Sequence, residues 1–481
     1  MAAALSESVD VVVVGAGISG LSAAYELMKK RPKTRLVVLE AKDRVGGRLD
    51  SAELKTATGN DRWDVGGQWV ARSQKNIMNL LQELDVEVYD QWTTGDRILQ
   101  NINGNIKTYS SSLPPLSYLA LFDMWWFFYK VDSMCKEVPI EDPTKCPHAE
   151  LWDGMTLETW KQQTIWTRSI KEILDATVGM IFGVTPSQMS LLYFLHYVHC
   201  AGGFSVIVDA DEKGYAQEWR IKGTAHRVTE LLASRLGRDK VILNHPVASI
   251  KQEDKHVFVS NSAGQTYKTK FVILAVPPHL TSQIDFTPEL PYNKQRLTYN
   301  MPPAHLTKFV ATYGTAFWRK DGLSGELLRS SCEDSCNNNP IAMTFDATTS
   351  DGNPAILGFI TSSTAAKWSS VPDEIKREDI LKSLKTYFGP EAEHPLDFRL
   401  KDWSKESWNG GCPVSVMVPG ALTNYGDCLR EPFLRIHWAG TESATEWRGY
   451  MDGAVQAGQR AANEVLARLN NPSPNDQIDS K

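Results

Sequence analysis

Gly15, Gly17 and Gly20 stand in the pattern Gly-x-Gly-x-x-Gly directly behind the apolar run Val11–Val14, and a carboxylate, Glu40, closes a second apolar run at Leu36–Leu39. Residues of these types at this spacing grip an adenine dinucleotide. Gly15 allows the tight turn, Gly17 lets backbone N–H groups approach a pyrophosphate, and Gly20 lets helix and strand pack closely. A helix starting near Gly17 turns its positive end toward the phosphates. Glu40 falls where a carboxylate accepts hydrogen bonds from the adenosine ribose hydroxyls. The glycines alone would be weak evidence, but strand, glycines, helix and acid arrive in order. Two glycine pairs, Gly46-Gly47 and Gly66-Gly67, follow and permit close backbone contact with a bound ligand.

The elements that must position these groups read as an α/β pattern. A helix over 21–30 links the two apolar strands, and from about residue 80 to 220 the chain is rich in aromatic and helical patterns, as an inserted domain would be. Short β runs return at 241–243, 247–250, 257–259 and 271–276, each bounded by turns. Residues 308–313 and 355–360 read as strands of a second sheet, 436–440 as a further strand and 453–469 as a long amphipathic helix.

Bulk properties narrow the function. With 481 residues the chain exceeds one ordinary core. A net charge of −6 speaks against a nucleic-acid surface and mildly favours a cationic substrate. Seven cysteines, at 135, 146, 200, 332, 336, 412 and 428, form no CxxC pair, which fits a reducing, intracellular and cytoplasmic setting. Cys332 and Cys336 lie beside Asn337, Asn338 and Asn339 without histidines, so a surface loop is expected there and no metal site. No secretory signal or transmembrane stretch is expected. The aromatic run 118–129, interrupted by Asp123, is expected to be a core-facing helix, and His196 and His199 to be satisfied core histidines.

Four blocks, taken together, resemble the flavin-containing monoamine oxidases over essentially the whole chain. They are the fingerprint with Glu40 and Arg44-Val45-Gly46-Gly47-Arg48; Asp64-Val65-Gly66-Gly67-Gln68; Lys308, nine residues before Phe317-Trp318-Arg319; and Gly410-Gly411-Cys412 followed by Gly440-Thr441-Glu442 and Trp447-x-Gly449-Tyr450-Met451. The resemblance implies a two-domain α/β architecture. A Rossmann-like FAD-binding domain (9–80, 220–290 and 395–469) interleaves with a mixed-sheet and helical substrate domain (81–219 and 291–394), ahead of a disordered tail, 470–481.

The same resemblance assigns roles. FAD would be held by Gly15, Gly17, Gly20, Glu40, Gly47, Gly67, Gln68 and Met451, with Arg44 and Arg48 at the pyrophosphate, Val247 at the adenine and Glu442 at the ribitol and phosphates. The Cys412 thiol would form a thioether to the flavin, with Gly410 and Gly411 letting the backbone approach the ring; a noncovalent flavin beside an idle thiol is the alternative. Lys308 would hold a water against flavin N5, with Trp403 an active-site neighbour. Tyr450 would be one wall of a paired-tyrosine cage, whose second wall is missing because Pro413 follows the cysteine. Phe182, Val208 and Gln217 fall near substrate-pocket positions. The implied reaction is oxidative deamination of a primary amine by O2, giving aldehyde, ammonia and hydrogen peroxide. Polyamine or L-amino-acid oxidation on the same scaffold, and a non-catalytic FAD-binding protein, are the competing readings. The oligomeric state stays open, a homodimer being one option.

Overall fold

The computed structural model describes residues 5–101, 103–111, 114–209, 212–330 and 339–471, with side chains from residue 8 onward. The expected loop at Cys332 and Cys336 and the tail beyond Asn471 lie outside the described residues; Asn470 still ends the last helix.

The valine run forms the middle of a five-stranded parallel sheet ordered Val241–Ile242, Leu36–Leu39, Val11–Val14, Phe271–Leu274, Ile436–Trp438. A parallel strand covered on both faces needs continuous apolar residues. Val11 and Val13 pack against helices, while Val12 and Val14 pack against a second layer of strands. That second layer is the meander Val247–Gln252, Val257–Asn261 and Thr266–Thr269, with Leu5–Ser8 and Asp285–Thr287 on its edges. On the helical face, Ile18–Lys30 crosses Met451–Asn470 at very short range. A Cβ at Gly458 would lie 2.2 Å from the Ser19 carbonyl oxygen, and one at Gly20 would lie 2.0 Å from that of Gly15.

The second sheet has seven strands in the order Asp397–Asp402, Leu306–Thr312, Ala355–Thr361, Met343–Asp346, Leu323–Arg329, Asp96–Gln100, Ile106–Tyr109. Leu306–Thr312 is buried along its whole length. Asp397–Asp402 pairs with it residue by residue, so this strand joins the second sheet although it lies beyond the boundary expected at 395. The strands Asp96–Gln100 and Ile106–Tyr109 fall within the segment read as helical; their charged and polar residues gave no apolar alternation.

The helices Tyr118–Cys135, Arg168–Phe182 and Leu191–Cys200 build a third core. Here the expectation for the aromatic run is corrected. Tyr118–Cys135 buries one stripe, Ala120, Asp123, Phe127, Val131 and Cys135. Its surplus aromatics face outward, with Tyr118 93% and Trp125 57% exposed and Phe122 stacked on the exposed Trp166. One helix face can be buried against this core, so a run aromatic all round leaves half of itself outside. His196 is a satisfied core histidine as expected, its two ring nitrogens held by the Ile140 carbonyl and Arg448.

Candidate active site

One cavity, with about 1860 Å³ of atom-free space including its open mouth, is lined from both sheets. Its first part is the glycine turn. Gly15 has φ +100°, and a Cβ there would meet the Ala275 carbonyl at 2.8 Å, so the tight turn requires glycine. A Cβ at Gly17 would find no atom nearer than 3.9 Å; the room in front of it belongs to the cavity. Gly17 caps Ile18–Lys30 without a side-chain acceptor, leaving the first-turn N–H groups free to meet an anion. Glu40 is fixed from behind, accepting from the Ala16 N–H at 2.7 Å and the Lys42 N–H at 3.0 Å, and burial raises its pKa. A carboxylate has lone pairs left for two hydroxyls.

The arginines divide. Arg48 lines the cavity, donates to the Pro413 carbonyl at 2.8 Å, and meets Glu442 through two hydrogen bonds of 2.6 and 3.0 Å. Glu442 sits buried behind it, and its pKa is lowered as the Arg48 guanidinium outweighs the burial penalty. Arg44 turns away. It donates to the carbonyls of Val45, Gly47 and Leu49 and pairs with Asp50, clamping the glycine loop from outside.

The far part is aromatic. Lys308, fully buried on Leu306–Thr312 of the second sheet, donates to the Gly66 carbonyl at 3.0 Å and to Gln68 Oε1 at 2.6 Å. Burial brings its pKa down to about 7 against the pull of Asp64, whose own pKa is pushed up to about 6. Trp403 is wholly buried and donates to the Val65 carbonyl at 2.9 Å. Tyr450 and Tyr197 lie with ring centroids 6.0 Å apart. A Cβ at Gly449 would lie 2.5 Å from the Tyr197 hydroxyl, so the glycine makes room for this second ring. Trp69 and Phe359 add two more rings, 6.0 Å apart. Gln68 Nε2 and Gln217 Oε1 are buried without a partner among the described residues. Donors at the turn, a fixed carboxylate, Arg48 and these two orphaned amides fit a flavin dinucleotide.

The family described as "Flavin containing amine oxidoreductase" matches residues 18–466. The chain belongs to it. Among curated relatives, amine oxidase [flavin-containing] A of Canis lupus familiaris is 37% identical over 96% of this chain and 85% of its own length, and amine oxidase [flavin-containing] B of Homo sapiens is 35% identical over 98% and 89%. Among solved structures, putrescine oxidase bound to putrescine superposes with a TM-score of 0.89 at 30% identity, covering 96% of this chain and all of that one. Cyclohexylamine oxidase from Brevibacterium oxydans follows at 0.88 and 29%, over 97% of this chain and 100% of that one.

In this flavin-containing amine oxidase the cavity brings together Gly15, Gly17, Glu40, Gly47, Arg48, Gly67, Gln68, Gln217, Val247, Lys308, Trp403, Cys412, Tyr450 and Met451. Gly20 serves packing, as expected. Four others are displaced. Arg44 and Glu442 act through the loop and through Arg48. Phe182 stands behind Tyr197, centroids 4.5 Å apart, and Val208 packs against the helical core. Gly410 and Gly411 do not open the backbone to the cavity; Cβ atoms there would strike His279 at 2.9 Å and the Ala304 carbonyl at 2.1 Å. Their job is to seat the loop that carries Cys412. Tyr197, Trp69 and Phe359 were not anticipated. Tyr197 sits in an apolar helical run where nothing in the sequence distinguishes a cavity wall from core, whereas Trp69 directly follows the second block.

Proposed function

We propose that this FAD-dependent amine oxidase acts on small aryl-alkyl or aliphatic primary monoamines. The observation that carries the reading is the lining of the far part of the cavity. The charged residues lining the whole cavity are Glu40, Lys42, Arg48 and Lys308 among the described residues, and the first three lie with the glycine turn or are already paired, away from that far part. A second ammonium of a polyamine has no carboxylate to meet there, and an amino-acid carboxylate has no unpaired guanidinium.

When bound, FAD supplies the acceptance of two electrons from the amine α-carbon and their transfer to oxygen. The chain's own residues prepare the substrate. An alkylammonium has a pKa of about 10.4 and lacks a free lone pair, so it must be delivered neutral. Desolvation between Tyr197 and Tyr450 disfavours the cation and orients the amine. Lys308 Nζ, its pKa lowered by burial, would hold a water beside the reacting centre. Trp403, Trp69 and Phe359 exclude water. Glu40, Gly15, Gly17, Gly47, Arg48, Gly67, Gln68, Val247 and Met451 would hold the cofactor, and Cys412 would hold its ring through a thioether. The thiol is buried with its pKa pushed up to about 11, so a thioether at Cys412 would require loss of the thiol proton and of one flavin methyl proton, with O2 taking the two electrons released as C–H is exchanged for C–S. The free thiols at Cys135, Cys146, Cys200 and Cys428 support a reducing, intracellular setting.

Oxygen consumption over a panel tests the substrate class. A phenylethylamine-like monoamine is expected to be turned over faster than putrescine, spermine or any L-amino acid, and the reverse order overturns the assignment. Acid precipitation tests Cys412: yellow colour should stay with the pellet and leave it in Cys412→Ala, whereas complete release from the unmutated protein means a noncovalent flavin.

A further inference from the structure

On the side of the Tyr450 turn away from the amine cavity lies a second pocket, with about 790 Å³ of atom-free space, whose walls include Arg430 and Arg448. Arg448 is one of the largest fully buried side chains of the molecule. It donates to the Ala444 carbonyl at 3.2 Å and to His196 Nδ1 at 3.1 Å, both uncharged acceptors. Arg430 donates through Nη2 to the Glu141 carbonyl, while its buried Nη1 has no partner. Neither guanidinium forms an ion pair among the described residues, although other arginines at comparable depth, such as Arg48 and Arg319, do. A buried guanidinium without an ion-pair partner, as at Arg448, is costly, and beside it the half-buried Arg430 with its unpartnered Nη1 completes a ready fork for a planar oxyanion.

The remaining charges define the ligand. Glu141, Asp142, Asp427 and Glu431 also line the pocket, with Asp142 tied to Lys145 at 3.1 Å. Glu141, Asp427 and Glu431 are exposed at the rim. Their field penalises every unit of negative charge on the ligand alike, so a dianion meets twice the penalty of a monoanion. We propose that this pocket binds a small monocarboxylate across Arg430 and Arg448. Bound there, it would brace the turn that carries Tyr450, in which Trp447 has φ +46° and Gly449 φ +85°, and through His196 the helix that carries Tyr197.

Titration calorimetry of the holoenzyme with sodium acetate, against sodium phosphate at ionic strength matched with chloride, is the test. Saturable one-to-one acetate binding is expected, at least tenfold tighter than phosphate, at least tenfold weaker in Arg430→Gln, and not competed by the amine substrate. Should Arg430→Gln not fold, Glu431→Gln decides, with acetate binding expected to tighten two- to threefold. The proposal is overturned by the absence of saturable acetate heat, by phosphate binding as tightly, by amine competition, by undiminished binding in Arg430→Gln, or by unchanged acetate affinity in Glu431→Gln. None of these outcomes depends on which amine the enzyme oxidises.

Discussion

At the scale of single residues, Lys308 combines depth, a lowered pKa and contact with the glycine pair that faces the cavity. Lys308→Met should slow turnover at least tenfold while the flavin stays bound, which absorbance after gel filtration and stopped-flow kinetics would check. Burial lowers its pKa well below that of a free lysine, so its loss of charge moves toward neutral pH. Asp64→Asn removes the anion that opposes this shift, so the pH midpoint of turnover should move lower. Tyr450→Ala and Tyr197→Ala should each reduce the rate of flavin reduction by more than they weaken cofactor binding. Comparable losses from the two would establish them as paired walls, and no loss from Tyr197→Ala would return it to the core. Only one of the two was legible in the chain. Tyr450 sits in a motif, whereas Tyr197 is recognisable only once a helix from another part of the sequence is laid against Gly449.

At the scale of elements, the reading succeeded where burial imposes a period. Val11–Val14 and Leu36–Leu39 lie between two covered faces and are apolar throughout, and Leu306–Thr312 and Ala355–Thr361, the second and third strands of the other sheet, are buried along their whole length and mostly apolar. It failed for Asp96–Gln100 and Ile106–Tyr109, which extend that sheet to its outer edge, where half-exposed strands can carry Asp, Arg, Lys and Gln. The crossing of Ile18–Lys30 over Met451–Asn470 gives an element-level prediction. Gly458→Val forces the helices apart at the Ser19 carbonyl and should destabilise the protein by about 3 kcal/mol. Because Ser19 belongs to the first turn facing the cofactor, flavin should be lost on dialysis unless the thioether holds it. Denaturant unfolding and flavin content measure the two effects.

At the scale of the whole molecule, Glu406 joins the two sheets, meeting Lys42 behind the second strand of the parallel sheet and Lys401 on the edge strand of the other. Those hydrogen bonds and charges outweigh burial and lower its pKa to about 2. A lowered carboxylate contributes stability that is full above its unfolded value, about 4.3, and is lost as pH falls toward 2. Glu406→Gln should therefore remove about 3 kcal/mol at neutral pH and flatten the acid side of the stability curve, read from denaturation midpoints between pH 7 and 3. The order of the parallel sheet also has a consequence for biosynthesis. Val11–Val14 leaves the ribosome among the first segments, yet its neighbour Phe271–Leu274 and the outer strand Ile436–Trp438 emerge hundreds of residues later. At ordinary elongation rates the valine strand waits roughly 13 to 50 s for Phe271–Leu274, its second partner, and the sheet closes only when Ile436–Trp438 has followed. Chaperones must shield it over that interval, and the nascent chain can capture its flavin only when synthesis is almost complete.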